Sequence, residues 1–283
     1  AGCRLDKPLQ LLFVGAQPDA CAVLRNLIVL EAGAEAEIVE SYVGVGDGAY
    51  LTVALNEITL GDAAKLTLTR LQNESAKAYH FGVSFVRQGK AAQFEHHNFA
   101  FGGLLARSEI HADLAESSDC RLNGLFLAQR QQLLDQQLRV QHREPSAVSR
   151  ETYQGILDGR ARGVFQGRVV VHEHAQHSDA AMNNRNLLLS EHAEIDTKPQ
   201  LEIYADDVKC AHGVSIGQLD AASVFFLKSR GLDEAEARGL LTFAFANEMV
   251  DRIADPALRR LVQRQLPAHF AVNYDVDLEG SGL

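Results

Sequence analysis

The chain has 283 residues, enough for one large domain or two small ones, and its 27 Lys and Arg against 37 Asp and Glu give a formal net charge of −10. Such an acidic surface repels phosphate backbones and anionic headgroups, which disfavours broad nucleic-acid binding and adsorption to acidic membranes. Hydrophobic residues make up 46% of the sequence and charged residues 23%, which is ordinary usage for a folded protein and excludes global disorder.

The first residues of the sequence do not show a signal-peptide pattern. The chain opens without an initiator Met and enters a predicted strand at residues 9–14. We therefore expect a fragment or processed chain that lacks an upstream segment. No apolar run approaches the roughly 20 residues that a membrane-spanning helix needs.

Cysteine usage indicates the redox compartment. The four cysteines stand far apart, at Cys3, Cys21, Cys120 and Cys210, and none forms a CxxC pair. Scattered thiols in a chain of this length are typical of reduced proteins, so we predict a cytoplasmic location. We expect Cys21 and Cys120 to pack as small hydrophobic side chains.

A repeat of 28 residues runs through the first half of the chain. Turn residues stand at positions 33, 61, 89 and 117, and short runs of alternating polar and apolar residues precede the turns. The third residue after each turn is small and the fifth is large and apolar: Ala36, Ala64, Ala92 and Cys120, then Ile38, Leu66, Phe94 and Leu122. Short strands at a fixed period, with no amphipathic helix between them, predict a mainly β chain wound as a β-solenoid.

The repeat loosens in the second half. Residues 129–143 are polar and rich in Gln, which indicates either a long loop or an exposed strand. Strand patterns resume at residues 149–157, 163–171, 186–189 and 200–204, with turn signals at Asp158-Gly159 and Asn183-Asn184. The solenoid core is therefore predicted to fill residues 1–218, with its last strand ending near Gly217.

Three helices are predicted after the solenoid. Their N-terminal signals are Asp220, the capping-box pair Asp233 and Glu236, and the dipeptide Asp255-Pro256. The helices are predicted to end near residues 230, 253 and 266, the first with Gly231 in the C′ position. These boundaries define a helical subdomain at residues 219–270 and a tail at residues 271–283.

The second predicted helix carries two apolar stripes. One contains Leu241, Phe245, Met249 and Ile253, and the other contains Leu240, Phe243 and Val250. One stripe can pack on the solenoid. The other needs a cover, which is either the third helix or a partner protein.

Two clusters contain metal-ligating residue types. Cys210 and His212 are two residues apart, so a strand places both on one face, and thiolate and imidazole suit zinc or iron–sulfur sites. Two ligands cannot complete such a site, so the others must come from elsewhere in the chain or across an interface. His172, His174 and His177 form the second cluster, for which a zinc site and a solvated strand face are the alternatives.

Longer stretches carry a family resemblance. Residues 196–213 resemble the signature stretch of SufD, of the SufB/SufD family in the Suf iron–sulfur cluster assembly machinery. Matching stretches follow in the expected order at residues 216–217, 224–231 and 243–248, and others lie upstream at 163–167 and 183–189. The resemblance covers about residues 9–266. SufB-type chains carry an essential cysteine where this chain has Leu227, which separates it from SufB.

The resemblance implies a right-handed parallel β-helix with a C-terminal α-helical subdomain. It implies a non-catalytic scaffold subunit that pairs with SufB through the β-helix and docks the ATPase SufC on the C-terminal helices, with a homodimer as an option for the isolated chain. His212, and more weakly Cys210, would handle iron or a transient iron–sulfur cluster at the SufB interface, with no cofactor tightly bound in the isolated chain. The SufC contact is expected at Phe243, Phe245, Glu248, Val250 and Arg230.

Two other functions are alternatives. A β-helix enzyme acting on polysaccharide needs an aromatic groove for stacking on sugars, and an aromatic content of 7% with no Trp is thin for that purpose. A stand-alone metal-binding protein would use His172, His174 and His177, or Cys210 and His212.

Overall fold

Short strands account for about two thirds of the first 217 residues. The computed structural model describes residues 1–266, within which fifteen strands of seven to ten residues precede three helices. The predicted end of the helical subdomain at residue 270 and the predicted tail at residues 271–283 lie outside the described residues. The strands are β1 Leu9–Gly15, β2 Cys21–Leu30, β3 Glu35–Gly44, β4 Leu51–Leu60, β5 Lys65–Asn73, β6 Tyr79–Gln88, β7 Gln93–Ala100, β8 Leu105–Leu114, β9 Asp119–Ala128, β10 Leu133–His142, β11 Val148–Leu157, β12 Arg162–Val171, β13 Asp179–Leu188, β14 Glu194–Ile203 and β15 Lys209–Gly217.

Each strand pairs in parallel with the strand two positions away along the chain. The odd-numbered strands form an eight-stranded sheet from β1 to β15, and the even-numbered strands form a seven-stranded sheet from β2 to β14. The chain therefore coils, because each turn adds one strand to each sheet, and about seven turns result. The predicted parallel β-helix is confirmed. Stacking of one turn on the next satisfies the backbone donors and acceptors of the internal strands.

The corner from each even strand to the next odd strand has a recurring conformation. The residue with positive φ at this corner in successive turns is Gly33, Ala63, Ala91, Ser117, Ser146 or His177. Its N–H donates to a carbonyl of the following turn, as Ala63 does to Lys90 at 2.8 Å, so the backbone ladder continues through the bend. The next residue is small and buried from the second of these corners onward: Ala64, Ala92, Ser118, Ala147 and Ser178.

The period of 28 residues is an average and not a fixed register. The residues that pair across successive odd strands are Ala36, Leu66, Phe94 and Cys120, which are 30, 28 and 26 residues apart. The predicted alignments of Ala36 with Ala64 and of Phe94 with Leu122 are therefore wrong by two residues. A shift of two residues keeps a side chain on the same face, so the alternation was correct although the columns were not.

Two polar segments are core strands. Residues 133–142 form β10, and Leu134, Leu138 and Val140 on this strand are buried, so neither a long loop nor an exposed strand describes the segment. Asn183 and Asn184, predicted as a turn, lie inside β13. Polar residues are tolerated there because they bond within the lumen: Asn184 accepts from Thr197 at 2.9 Å and from Asn186 at 2.5 Å.

A polar network fills the middle of the lumen in the early turns. Arg70 on β5 is 1% exposed, and its Nε donates to Oε2 of Glu40 on β3 at 3.0 Å. The Glu40 carboxylate also accepts from the Tyr42 hydroxyl at 2.6 Å. The two Nη atoms of the guanidinium donate to hydroxyl oxygens at 3.1 and 3.2 Å, those of Ser84 and Ser108. Both charges are thus compensated, which a buried ion pair requires.

Glu151 on β11 is a second buried acid, and it lacks a compensating cation in the lumen. The side chain is 0% exposed, and neither carboxylate oxygen accepts a hydrogen bond of good geometry from the described residues. Burial raises the pKa of Glu151 to about 7, and the nearby Ser149 hydroxyl and Arg150 charge oppose this only in part. The carboxyl therefore favours its neutral form inside the fold.

This shift makes the stability of the fold depend on pH. Between the ordinary carboxyl pKa near 4.5 and about 7, the folded chain keeps a proton that the unfolded chain releases, so the free energy of unfolding falls as pH rises through this window. We expect Glu151→Gln to remove this loss of stability at high pH. The free energy of unfolding of the variant, measured relative to wild type, should be about 2–3 kcal/mol higher at pH 8 than at pH 4.5. Urea unfolding at both pH values measures it. Glu116→Gln, at an exposed corner, is the control, and equal gains at both pH values for Glu151→Gln would contradict the assignment.

The helices belong to a second unit that begins at Gln218. They are α1 Ala221–Ser229, α2 Glu234–Val250 and α3 Pro256–Gln265. Each begins at its predicted cap: Asp220 accepts from two backbone N–H groups, Asp233 and Glu236 close a capping box, and Asp255 precedes Pro256. Gly231 follows α1 with φ of +100°, the left-handed conformation expected after a helix end. No helix within residues 1–266 is long and apolar enough to span a bilayer.

Candidate functional site

The last turn of the solenoid leaves two strands with a neighbour on one side only. Within residues 1–266, β15 pairs with β13 and β14 pairs with β12, and no strand follows either of them in its sheet. A strand edge of this kind presents unpaired N–H and C=O groups. Cys210 and His212 both lie on β15.

Cys210 and His212 share one side of β15. Their register partners on β13 are Ala180 and Met182, which are core residues at 1% and 2% exposure. Both side chains are therefore in phase with the lumen, with their Cα atoms about 7 Å apart along the strand. His212 is exposed and Cys210 is half-buried, since no turn follows β15 in the described part of the chain.

The protein environment favours the neutral thiol of Cys210. Partial burial raises its pKa, the carboxylates of Asp179 and Glu151 raise it further, and a hydrogen bond with the Ala180 backbone opposes them. A metal ion or a cationic group brought by another chain would be needed to make this sulfur a thiolate ligand.

The other cysteines differ in their surroundings. Cys120 is 0% exposed, and burial, with Glu151 and Asp119 nearby, raises its pKa well above the usual value. It packs in the core as predicted. Cys21 is exposed, so its predicted packing is wrong: it occupies the outward phase of β2, where no turn covers it. All four cysteines are free thiols.

The donor set at β15 is incomplete for a metal centre. Across residues 1–266, no three His, Cys, Asp or Glu side chains are grouped so that they could hold one metal ion. Cys210 and His212 offer one sulfur and one imidazole nitrogen, which suit iron and iron–sulfur chemistry in kind and fall short in number. A complete site here therefore requires donors from outside the described residues.

Large apolar side chains lie beside this pair. Val214 and Ile216 on β15 are 42% and 50% exposed, and Ile203 and Tyr204 at the end of β14 are 42% and 63% exposed. In the internal turns, lumen-phase residues of this kind are covered by the next turn. The last turn thus combines unpaired backbone groups with apolar surface, the two features of a surface that accepts another chain.

The second predicted metal cluster does not form. His172 and His174 lie in the corner after β12, and His177 is the positive-φ residue of that corner, so none of the three is on a strand face. His172 Nε2 lies 3.3 Å from Gln141 Oε1, and His177 Nδ1 lies 2.9 Å from Asp207 Oδ2. His172 and His177 therefore contact separate partners, the predicted strand face is instead a corner, and no three ligand side chains within residues 1–266 are grouped to hold a metal ion.

The predicted partner-contact residues differ in exposure. Arg230 and Glu248 are exposed, whereas Phe243 and Phe245 are half-buried. Val250 is 0% exposed and presents no surface to a partner.

Among the three described helices, α1 carries the most exposed large apolar side chains. Phe225 is 73% exposed and Phe226 is 56% exposed, and the Arg230 guanidinium lies 5.2 Å from the centre of the Phe226 ring. Lys228 adds a second cation to the same end of the helix. The sequence prediction placed the partner contact mainly on α2 because of its apolar stripes. The adjacent residues Phe225 and Phe226 were the signal for α1.

Charged residues inside the lumen escaped the sequence analysis. Glu40, Arg70 and Glu151 each occupy the same alternation phase as the buried apolar residues of their own strand. That phase was the available signal, because it places a charge among core positions. The phase of a charged residue identifies it as buried only after the strand and its inward face are known.

The sequence matches the family described as "SUF system FeS cluster assembly, SufBD core domain" over residues 13–245, a range that includes β15 and most of α2. The chain belongs to the SufBD core domain family. The resemblance noted in residues 196–213 is thereby confirmed at the level of the family.

Named relatives agree with this membership. The chain is 34% identical to the iron–sulfur cluster assembly protein SufD of Escherichia coli K12, over 92% of this chain and 63% of that protein. It is 34% identical to an iron–sulfur cluster assembly SufBD family protein of Synechocystis, over 89% and 58%. It is 31% identical to the chloroplastic protein ABCI7 of Arabidopsis thaliana, over 91% and 56%. The chain therefore spans less than two thirds of the length of these relatives.

Proposed function

We propose that this chain is a non-catalytic scaffold subunit of a Suf-type iron–sulfur cluster assembly complex. In this proposal it pairs with SufB through the last turn of the β-helix and docks the ATPase SufC on its helical unit. The observation that carries the proposal is the one-sided edge at β15, which holds Cys210 and His212 beside exposed apolar side chains. Membership of the family supplies the setting.

The edge suits pairing with another β-helix. Backbone groups on β15 offer a ladder to a strand of the partner, and burial of Val214 and Ile216 supplies apolar area. The same surface would accept a second copy of this chain when SufB is absent, which makes a homodimer of the isolated chain part of the proposal.

The ligand shortage at this edge supports a shared site. Cys210 and His212 supply two donors, so a nascent cluster or iron ion, as cargo, would need the remaining ligands from SufB. His212 is the stronger candidate, because its exposed imidazole needs no structural change to reach a partner. The isolated chain is proposed to hold no cofactor tightly.

Four free thiols suit a reducing compartment, so the proposed location is the cytoplasm. The relatives are named as assembly proteins, and no observation favours a polysaccharide-active enzyme. The separated rings of the 172–177 corner likewise give no support to a stand-alone metal-binding protein.

A charge placed at the open end tests the SufB interface. We expect Ile216→Lys to weaken the complex with SufB at least about tenfold, because the interface would bury the lysine charge with no opposite charge beside it. The thermal midpoint of the isolated chain should stay unchanged. Size-exclusion co-elution and titration calorimetry measure it. Leu27→Lys, at a 71% exposed position on β2, is the matched control. Equal affinity for Ile216→Lys and wild type would exclude this interface.

A second substitution tests the role of the imidazole. We expect His212→Ala to lower the rate of cluster assembly by the reconstituted complex at least about tenfold, with no change in the thermal midpoint, because an exposed ligand contributes little to the core. His174→Ala, which removes another exposed histidine, should leave the rate unchanged. Cluster absorbance during reconstitution measures the rate. Wild-type rates for His212→Ala would remove it from the site.

Helix α1 supports the proposed SufC contact. We expect Phe226→Ser, which also releases the Arg230 contact, to weaken SufC binding at least about tenfold while SufB pairing persists, since exposed aromatic residues with a neighbouring Arg are typical interface anchors. Leu261→Ser, at a 46% exposed position on α3, is the control. Pull-down with purified SufC measures the binding, and loss in both variants or in neither would place the contact elsewhere.

A further inference from the structure

A pocket of about 470 Å³ opens at the other end of the solenoid, in its first turns. Its walls come from β1, β2, the end of β3, the 45–50 corner and the start of β4. Its lining is mostly apolar, and within that lining Glu74 is the one charged side chain; the polar groups beside it come from Gln17, Cys21, Tyr42, Tyr50 and Thr52. The pocket lies far along the sheets from β15 and is independent of the proposed function.

Aromatic rings form part of the wall, and their positions are fixed. Phe13 stacks on Tyr42 with ring centres 4.9 Å apart. The Tyr42 hydroxyl donates to the buried Glu40 carboxylate, which anchors that ring to the lumen network. The Tyr50 hydroxyl accepts the Ser75 backbone N–H at 3.3 Å. The wall is therefore already in place before a ligand arrives.

The carboxylate of Glu74 lies at the floor of the pocket. The residue is 6% exposed. Its Oε1 accepts from the Thr52 hydroxyl at 2.7 Å, and its Oε2 accepts from Gln72 at 3.1 Å and lies 2.7 Å from His80 Nδ1. Burial opposes ionisation of this group, but these three contacts outweigh it and hold the pKa of Glu74 below its usual value.

One lone pair of the floor carboxylate is available to a ligand. A carboxylate oxygen can accept two hydrogen bonds. Among the described residues, Oε1 of Glu74 accepts one hydrogen bond, from the Thr52 hydroxyl. Oε2 accepts from Gln72, and His80 Nδ1 lies 2.7 Å from it. A donor entering along the apolar walls therefore meets an ionised acceptor at the bottom.

We propose that this pocket binds a small organic cation of the alkylammonium class, with its alkyl chain against the apolar wall and its ammonium group on Glu74. The aromatic rings of Phe13 and Tyr50 in the lining favour a cation through their quadrupoles, and an acid as the sole charged lining residue selects against anions. Apolar walls with a few convergent polar groups are the usual form of a small-molecule site. Neutral alcohols and carboxylates of equal length are the competing occupants.

The test compares three probes of the same length on the full chain. Titration calorimetry at pH 8 measures n-hexylammonium, 1-hexanol and hexanoate. We expect n-hexylammonium to bind at least about tenfold more tightly than 1-hexanol, and hexanoate to bind most weakly, because only the ammonium group gains from the carboxylate. Equal affinities of n-hexylammonium and 1-hexanol, or tighter binding of hexanoate, would overturn the proposal.

A substitution at the floor gives the second measurement. Glu74→Gln should weaken n-hexylammonium at least about tenfold and change 1-hexanol less than about twofold, since it removes the charge and keeps the shape. Glu57→Gln, on the outward face of β4 and paired with Arg25, is the matched control and should bind both probes as wild type does. Unchanged n-hexylammonium binding in Glu74→Gln would overturn the proposal. Should that variant fail to fold, the ranking of probes on the wild-type chain decides alone.

Discussion

The backbone ladder between successive turns is the constraint on which the rest of the molecule depends. Each internal strand gives its N–H and C=O groups to the strands on both sides, and the positive-φ corners carry the same bonding around the bend. Once the ladder is set, alternation sends each side chain either into the lumen or outward. Among the described residues of the solenoid, the strands with a free side are those that end the two sheets. Cys210 and His212 stand on one of these strands, which is why their position, more than their chemistry alone, makes them candidates for a shared site.

The lumen shows two ways of burying a charge. Arg70 and Glu40 face each other across neighbouring strands, and each also bonds to hydroxyl groups of its own, so the pair is compensated in place. Glu151 faces no cation and instead favours the neutral acid. The first solution stabilises a particular register, because a shift of two residues would separate the partners. The second leaves a titrating group among core residues, two strands inward from β15 in the column that ends at His212.

Much of this architecture follows from local sequence rules. Alternating strands at a near-constant period predicted the solenoid, and the caps at Asp220 and Asp233 placed the helices, because both signals are short-range. The pairing register of the strands could not be predicted from the sequence, because a shift of two residues preserves the alternation of polar and apolar residues. Residues 133–142 were missed because the rule that polar residues face water fails in a lumen where they bond to one another. The Phe13–Tyr42–Glu74 pocket depends on how three separate turns stack, and no local pattern encodes that. Cys210 and His212 were found as a ligand pair from their residue types and spacing, and resemblance to a family then singled out His212.

The unequal number of neighbours along the stack has a further consequence. In a repeat array, the stability of one unit comes mainly from the units on either side of it, so a unit at an end is held by half as many contacts. The turn that carries β15 is such a unit, and its amide protons should exchange with solvent sooner than those near Arg70. A subunit that stacked on this end would supply the missing neighbour, so that the act of assembly would itself rigidify the strand bearing His212. Order at the site and membership of the complex would then rise together, and an unassembled chain would keep its donor atoms on a turn that has a neighbouring turn on one side only.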